Sequence, residues 1–460
     1  MTLPGTGRPA YQVVDPATGE PVRSFPYATE TEVADILDAS QAAYLDWRER
    51  TVAERADLVR RAGAALLRRS RELAATMRLE MGKPLPEGID EIEYCASIFD
   101  HYADQGPALL TDEELTPRGD GRAVVRSRPI GPLLGIMPWN YPCYQVVRFA
   151  VPNLVLGNTV IVKHAESVPL TAKALEEVFL DASLPHGAYL DVFATHEQVE
   201  AVIADPRVQG VSLTGSERAG SVVAAAAGRH LKKCVLELGG SDPFIVLDSP
   251  DVTAVATLAW QTRMHNNGQA CTSNKRMLVM ADIYDEFVTA LVTEAEAVDT
   301  AVHPPLASRA AAEHLAAQVE DAVAKGARLL AGGVLASDGS ARYSPAVLVD
   351  VTEDMRAWHE ELFGPVAVVH RVTHDEHAVR LANSTPYGLG CAVFSADPER
   401  ARRVAERLET GMANINTASM DGPELPFGGV RRSGFGRELG PGISEFINKR
   451  LVCTVVGPHV

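Results

Sequence analysis

The chain is 460 residues long, with 46% hydrophobic and 22% charged residues, an ordinary globular composition over a length that calls for roughly two to four domains. A formal net charge of −17 repels phosphate backbones and anionic lipid surfaces, so no nucleic-acid and no membrane partner is expected. The cysteines Cys95, Cys143, Cys234, Cys271, Cys391 and Cys453 are scattered, with no Cys-x-x-Cys pair and no zinc-type histidine spacing; no metal centre and no disulfide framework is expected, and a reducing, cytoplasmic location is the simplest home.

Residues 1–11 hold Pro4, Gly5 and Pro9 but no basic segment leading into an apolar one, so no secretory signal is read there. Residues 32–47, 53–81 and 85–102 repeat apolar positions every three or four residues, which predicts helices. Gly82 and Pro84 mark the stop of the second. The most apolar stretch, 129–162, is interrupted by Pro132, Pro138, Pro142, Pro152 and Arg148. It lacks the ~20 uninterrupted apolar residues of a membrane span and reads as buried turns, a short helix and a strand.

From Val124 the pattern changes. Strand-like runs at 159–163, 189–193 and 208–213 alternate with helical patterns at 170–182, 197–204 and from Thr214-Gly215-Ser216 to Gly228. A second series places strands at 244–247, 277–280, 346–351, 366–372 and 413–416, with helices at 252–263, 284–298 and 309–325. Such alternation predicts an α/β fold of two doubly wound units. A boundary near 238–241 would line the cleft between them, where ligands prefer to bind. The apolar run 451–456 has no local partner and is expected to pair with a distant segment or with another subunit.

Several short segments carry chemistry, each with an ordinary alternative. Asn267-Gly268-Gln269-Ala270-Cys271 leads a thiol through a small-residue bend that can present sulfur to a cleft; the plain reading is an inert buried cysteine. Glu237-Leu238-Gly239-Gly240 offers a carboxylate base. Thr214-Gly215-Ser216 can hold a pyrophosphate at a helix start, or be a simple N-cap. Lys163-His164-Ala165-Glu166 ends a strand, where a lysine and a carboxylate can bind ribose hydroxyls, and Glu166 would repel a 2′-phosphate, favouring NAD over NADP. The alternative is a solvated pair on a loop. Pro138-Trp139-Asn140-Tyr141-Pro142 is a rigid turn whose Asn140 amide can donate to an oxyanion or merely close an Asx turn. In Glu360-Glu361-Leu362-Phe363-Gly364-Pro365, Glu361 can bind ribose and Phe363 can flank a nicotinamide, or the segment is an acidic loop with one core aromatic.

Taken with Pro426-Phe427-Gly428-Gly429-Val430 and Ser433-Gly434-Phe435-Gly436-Arg437-Glu438, these segments resemble, in order and spacing, the NAD(P)-dependent aldehyde dehydrogenase superfamily. The resemblance runs from about residue 10 to the C-terminus. It implies the fold of that family: two Rossmann-like α/β domains plus a small β oligomerisation element. Residues 1–108 and 129–238 would form the NAD-binding domain, 239–440 the catalytic domain, and 109–128 with 441–460 the oligomerisation element of a homodimer or homotetramer.

The resemblance makes Cys271 the nucleophile, and Asn140 with the Cys271 backbone N–H the oxyanion hole. Glu237 is the base for deacylation. Lys163 and Glu166 would bind the adenosine ribose, Gly215 and Ser216 the diphosphate, Glu361 and Phe363 the nicotinamide half, and Trp139 would shape the cofactor cleft. The reaction implied is oxidation of a small aldehyde to a carboxylic acid with NAD, NADP being an alternative, through a thiohemiacetal and a thioester.

Lys163-His164-Ala165 and the compact length resemble the short succinate-semialdehyde dehydrogenase branch. Arg148, eight residues after Asn140, falls where such enzymes hold the substrate carboxylate. His265 stands where some carry a second arginine, and Asp421 where a serine donor is frequent; a carboxylate there would repel an anionic substrate unless paired or turned away. An amino or aromatic aldehyde is the alternative substrate. Glu237 argues against a CoA-acylating relative, and Cys271, Glu237 and Asn140 together argue against a catalytically silent binding protein. Two departures from the family pattern are the short 299–308 segment with His303-Pro304-Pro305, and Trp358-His359 ahead of the Glu-Glu pair.

Overall fold

The computed structural model describes residues 11–118 and 121–455. Its parallel strands are those whose sequence is apolar without alternation, as burial on both faces requires. Thr159–His164 is buried at every position, and so is Gly210–Thr214. They belong to a six-stranded sheet that runs Gly434–Phe435, Lys233–Glu237, Gly210–Thr214, Pro132–Met137, Thr159–His164, Tyr189–Asp191. All its neighbours are parallel except Gly434–Phe435, which lies antiparallel to Lys233–Glu237. The C-terminal part of the chain thus returns to the first sheet and sets Gly434 opposite Glu237.

A seven-stranded sheet runs Arg328–Ala331, Ala346–Val349, Val366–Val372, Arg276–Met280, Pro243–Val246, Ala392–Phe394, Asn414–Ile415. It is parallel apart from the first strand. The third sheet is antiparallel and small. Ile447–Thr454 pairs with Arg122–Pro129 in this same chain, Leu451 opposite Val125, and Arg122–Pro129 pairs in turn with Glu113–Leu115. The partner of the apolar C-terminal run is therefore a distant segment; Val456, its last expected residue, lies outside the described residues.

The N-terminal hundred residues contain two features that helical periodicity hides. Tyr11–Val14 and Pro21–Phe25 form a hairpin too short to show a pattern. The long helix expected over 53–81 is two helices, Val52–Arg68 and Ser70–Met81, broken at Arg69 (φ −97, ψ 11). Arg69 turns its guanidinium to Glu72 at 2.7 Å and Glu177 at 3.0 Å. The second helix stops at Gly82 in the left-handed region (φ 77), as its glycine dictates.

Residues 129–162 resolve into Pro132–Met137, the helix Tyr144–Leu156 and Thr159–His164. Every residue of that helix after Tyr144 is buried. Its apolarity on all sides reflects a helix inside a large core, against Leu133, Phe99 and Trp47. Among the described residues no helix is long and apolar enough to cross a membrane. The strand ends bring Lys163, Thr214 and Glu237 to one edge of the first sheet, and the chain between Met264 and Arg276 carries Cys271 toward it.

Candidate active site

The loop that bears Cys271 is wound into an uncommon conformation. Asn266 (φ 51), Asn267 (φ 54) and Gly268 (φ 72) are successively left-handed, a region that Asn tolerates better than most residues and Gly adopts freely. A Cβ at Gly268 would collide with the Gly364 carbonyl, so glycine is required on two counts. Each left-handed Asn costs about 1–3 kcal/mol, and the loop is held against that cost by its neighbours. The Asn266 N–H donates to Glu87 at 2.6 Å. Asn267 donates to the Pro304 carbonyl at 2.8 Å and its Oδ1 lies 2.7 Å from His303 Nε2. The Gln269 amide accepts from Ala307 N–H at 2.8 Å. The buried Arg263 guanidinium binds Gly268 O at 3.0 Å, Ser273 Oγ at 2.8 Å, Leu362 O at 2.7 Å and Gly364 O. The short 299–308 segment, whose role sequence alone leaves open, is therefore a support for the nucleophile loop.

Asn140 reaches the same loop. Its Nδ2 donates to the Gln269 carbonyl at 2.9 Å, and Asn266 Nδ2 returns a bond to the Asn140 carbonyl at 2.9 Å. Asn140 is buried, and one amide proton is left over for a ligand. Cys271 is partly buried. Burial pushes its thiol up to about 11; Lys275 and Arg148 draw it back, whereas Glu361 and Asp242 oppose ionisation.

Glu237 ends the strand Lys233–Glu237 and is buried, with neither carboxylate oxygen hydrogen-bonded. Burial pushes its carboxyl well above the ordinary range, Arg148 draws it back and Glu438 pushes it further. A Cβ at Gly428 would lie 2.6 Å from Glu237 Oε1, so the glycine-rich 426–430 segment is what closes over the carboxylate. A carboxyl shifted upward and free of hydrogen-bond partners among the described residues is, once ionised, a stronger base than an ordinary carboxylate.

Arg148 lies inside the protein, paired with another side chain. Its side chain is 0% exposed, and Nε is ion-paired with Glu438. Nη2 donates to Thr214 Oγ1 at 3.2 Å, and the guanidinium lies 4.2 Å from the Phe427 ring centre and 5.0 Å from that of Tyr144. The helix Tyr144–Leu156 turns Arg148 inward, onto a buried counter-charge from the C-terminal segment. His265 is half exposed and stacked on Tyr141, with Nδ1 2.9 Å from the Tyr141 hydroxyl and Nε2 3.9 Å from Glu87. Asp421 accepts from Ser419 Oγ at 3.0 Å. It lines a cavity of about 480 Å³ with Tyr94, Tyr144, Thr272, Ser419 and Phe427. Thr272 directly follows the nucleophile, so the cavity abuts the Cys271 loop.

Trp139, Lys163, Glu166, Gly215 and Ser216 lie at or just past the C-terminal ends of parallel strands, where such crevices form, whereas Glu361 and Phe363 precede the strand Val366–Val372. Lys163 is buried, and burial lowers it from the ordinary lysine range. Its Nζ donates to the His164 carbonyl at 3.3 Å and stands 3.9 Å from Glu166. Glu166 accepts from the Tyr27 hydroxyl at 3.3 Å. Gly215 N–H donates to the Glu237 carbonyl at 3.0 Å. Ser216 caps the helix Glu217–Arg229, accepting from Ala219 N–H at 3.3 Å; the simple N-cap reading thus holds in this structure. Trp139 meets Phe363 edge to face at 5.7 Å. Glu361 is ion-paired with Lys275 at 3.0 Å and accepts from Gly240 N–H at 3.1 Å. The donor set suits a dinucleotide: a lysine and a carboxylate at one strand end, a helix start at another, and an aromatic pair with a carboxylate beside the thiol.

A model of the aldehyde dehydrogenase family matches residues 3–452. The chain belongs to that family. A succinate-semialdehyde dehydrogenase (NADP(+)) of Deinococcus radiodurans is 52% identical over 450 residues, covering 96% of this chain and 94% of that protein. Succinate-semialdehyde dehydrogenase (NADP(+)) 1 of Mycobacterium tuberculosis is 42% identical, covering 95% and 98%. Among solved structures, the succinic semialdehyde dehydrogenase of Streptococcus pyogenes in complex with NADP(+) superposes with a TM-score of 0.93 at 36% identity, over 97% of this chain and 100% of that one. The expected family and its α/β fold are borne out.

Within this aldehyde dehydrogenase, several residues of the site escape reading by sequence. Lys275, Arg263 and Glu87 act through backbone carbonyls and N–H groups, which leave no motif. Glu438 stands in the quoted 433–438 segment, and its charge in an otherwise glycine-rich run was the available signal. Tyr94 lies on the helix Leu85–Leu109, far from any motif in sequence.

Proposed function

We propose that the chain oxidises succinate semialdehyde to succinate with a nicotinamide dinucleotide, Cys271 being the nucleophile. The observation that carries the reading is the hydrogen bond from the Asn140 amide to Gln269, two residues before Cys271, which couples an oxyanion donor to the thiol loop. The Cys271 thiolate adds to the aldehyde carbon, forming a C–S bond and an oxyanion that takes N–H donors from Asn140 and from Cys271 itself. The dinucleotide, when bound, supplies the hydride acceptor. Glu237 then takes a proton from the water that attacks the thioester, and the C–S bond breaks with return of the thiolate.

Hydroxyl groups of Tyr94, Tyr144, Thr272 and Ser419 line the cavity beside the Cys271 loop, and Arg148 lies behind the Tyr144 and Phe427 rings. Neutral hydroxyl-bearing side chains at this wall support a substrate carboxylate. Asp421 in the same wall favours a second reading, a cationic amino aldehyde.

The names of the relatives favour NADP(+), against the expectation of NAD drawn from Glu166. The Glu166 side chain is 40% exposed and bound only to a tyrosine hydroxyl and, loosely, to Lys163, so it can turn from a 2′-phosphate. We therefore take NADP(+) as the preferred cofactor with NAD accepted. Residues 1–108 and 129–238 are assigned to the dinucleotide and 239–440 to catalysis. Residues 109–128 and 441–460 are assigned to assembly of a dimer or tetramer, a reading supported by Ile447–Thr454 at a sheet edge with Leu451 exposed. A cytoplasmic home is part of the same reading.

A panel of succinate semialdehyde, amino aldehydes and aromatic aldehydes with each cofactor tests this. The highest kcat/KM is expected for succinate semialdehyde, with turnover abolished in Cys271→Ala. Faster oxidation of a cationic or neutral aldehyde overturns the substrate; retained turnover in Cys271→Ala overturns the nucleophile.

A further inference from the structure

Lys275 carries a charge that the reaction as described does not use. Its side chain is 2% exposed, and a lysine is rarely so buried without a structural or chemical reason. The ammonium donates to the carbonyls of Ala270 at 2.9 Å, Cys271 at 2.8 Å and Ser273 at 3.3 Å, and it pairs with Glu361 at 3.0 Å. Three of the four contacts belong to the nucleophile loop, so the loop closes around one cation. The fourth is the carboxylate on the segment that carries Phe363. Glycines make this approach feasible. A Cβ at Gly239 would collide with Glu361 Oε2, and one at Gly240 would stand 2.8 Å from the Cys271 carbonyl.

We propose that Lys275 is a positioning residue that ties the Cys271 loop to Glu361 in the free enzyme, and that withdrawal of Glu361 to the ribose of a bound dinucleotide leaves the ammonium to stabilise the Cys271 thiolate. The proposal rests on the reading of Cys271 as nucleophile and of Glu361 as a ribose ligand. Four charged groups bear on the thiol from four elements. Lys275, ahead of the strand Arg276–Met280, and Arg148, on the helix Tyr144–Leu156, favour its ionised form; Glu361, after the helix Arg356–His359, and Asp242, ahead of the strand Pro243–Val246, oppose it. Arg148 is committed to Glu438. Lys275 is thus the cation whose partner can leave, and Glu361 is that partner. While the pair is intact the two charges largely cancel at the sulfur. With Glu361 gone the cation, held on the Cys271 carbonyl at 2.8 Å, acts without its counter-charge and favours the ionised form.

The test reads the thiol itself in the cofactor-free enzyme. Iodoacetamide alkylation of Cys271, followed across pH by mass spectrometry of its peptide, separates it from the exposed Cys453. Glu361→Gln is expected to alkylate about tenfold faster at neutral pH than the wild type, with the profile moved to lower pH; Lys275→Met is expected to be about tenfold slower. The gain from Glu361→Gln is expected to shrink severalfold in the Lys275→Met background, because the released charge is missing there. An equal gain in both backgrounds would assign the effect to direct repulsion by Glu361 and overturn the proposal. So would an unmoved profile in Glu361→Gln, a variant that keeps the side chain's shape and needs no change at Lys275. A purely structural role for Lys275 alters rate or folding without moving the pH profile. Turnover retained in Cys271→Ala would instead overturn the functional reading while leaving the alkylation profiles legible.

Discussion

Replacing Arg148 by methionine separates two roles that the residue could have. The guanidinium is wholly buried and ion-paired with Glu438, itself 6% exposed in its side chain; it also donates to Thr214 at 3.2 Å and packs against Phe427 and Tyr144. Methionine fills much of the volume but leaves the Glu438 carboxylate buried without its cation, retaining only the Ser212 hydroxyl at 2.9 Å. Breaking a buried pair from one side costs about 3–5 kcal/mol, and the Thr214 bond adds roughly 1 kcal/mol. The melting temperature should therefore fall by several degrees. Loss of the cation also removes what draws the Glu237 carboxyl down, so the pH limb governed by that base should move upward. Both effects are blind to the substrate. Thermal unfolding and kcat/KM for succinate semialdehyde and a neutral aldehyde of similar length, measured on the same preparation, check this. An unchanged melting temperature with a loss confined to the carboxylate-bearing aldehyde would refute the structural role and restore the arginine as a substrate ligand.

Glu237→Gln should give a burst of reduced cofactor followed by slow turnover, because deacylation loses its base; stopped-flow absorbance reads the burst, and its absence together with normal turnover would remove Glu237 from that step. Glu166→Ser should leave the ratio of NADP(+) to NAD use, measured as kcat/KM for each cofactor, nearly unchanged, because the half-exposed carboxylate is free to turn from the 2′-phosphate; a large rise in the ratio would show that Glu166 repels it. Burial lowers His303 from 6.5 to about 4. The unfolded chain therefore takes up a proton on this residue below about pH 6.5 while the folded chain stays neutral, and the stability that His303 contributes is lost as pH falls from 6.5 toward 4. His303→Gln should narrow the difference in melting temperature between pH 7 and pH 5; a difference as wide as that of the wild type would show that other groups carry the acid lability.

The segments assigned to catalysis and to the cofactor were legible in sequence as candidates, since such chemistry restricts residue type and their spacing matches that of the family. Cys271, Asn140 and the Gly268 bend are gathered within one hydrogen-bonded unit as their motif order implied. The long parallel strands were legible for a different reason: burial on both faces favours unbroken apolar cores such as Val160-Ile161-Val162 within Thr159–His164. Short or half-exposed strands escaped. Pro21–Phe25 has one buried residue, and Gly434–Phe435 spans two residues whose pairing with Leu236 and Glu237 no local pattern announces. Arg148 shows the same limit at the level of a side chain. Its position along the helix could be counted, but its counter-charge comes from Glu438, 290 residues away, and only the fold brings the two together.

The nucleophile loop shows why so much of this site is invisible to local pattern. Bonds between Asn266 and Gln269 close the left-handed turn locally, but most of the bonds that fix it come from outside it. Glu87 and Asn140 reach the loop from the segments around the six-stranded sheet, whereas Arg263, His303 and Lys275 belong to the half that carries the seven-stranded one. The position of the thiol is therefore a property of how the two halves meet. Removing any one support should loosen the sulfur before it unfolds the protein, because the remaining bonds still bridge the same loop. Burial, which by itself would leave Cys271 an inert thiol, is offset in part by Lys275 and Arg148 and reinforced by Glu361 and Asp242, so the readiness of the sulfur for attack turns on which of these charges stays close to it.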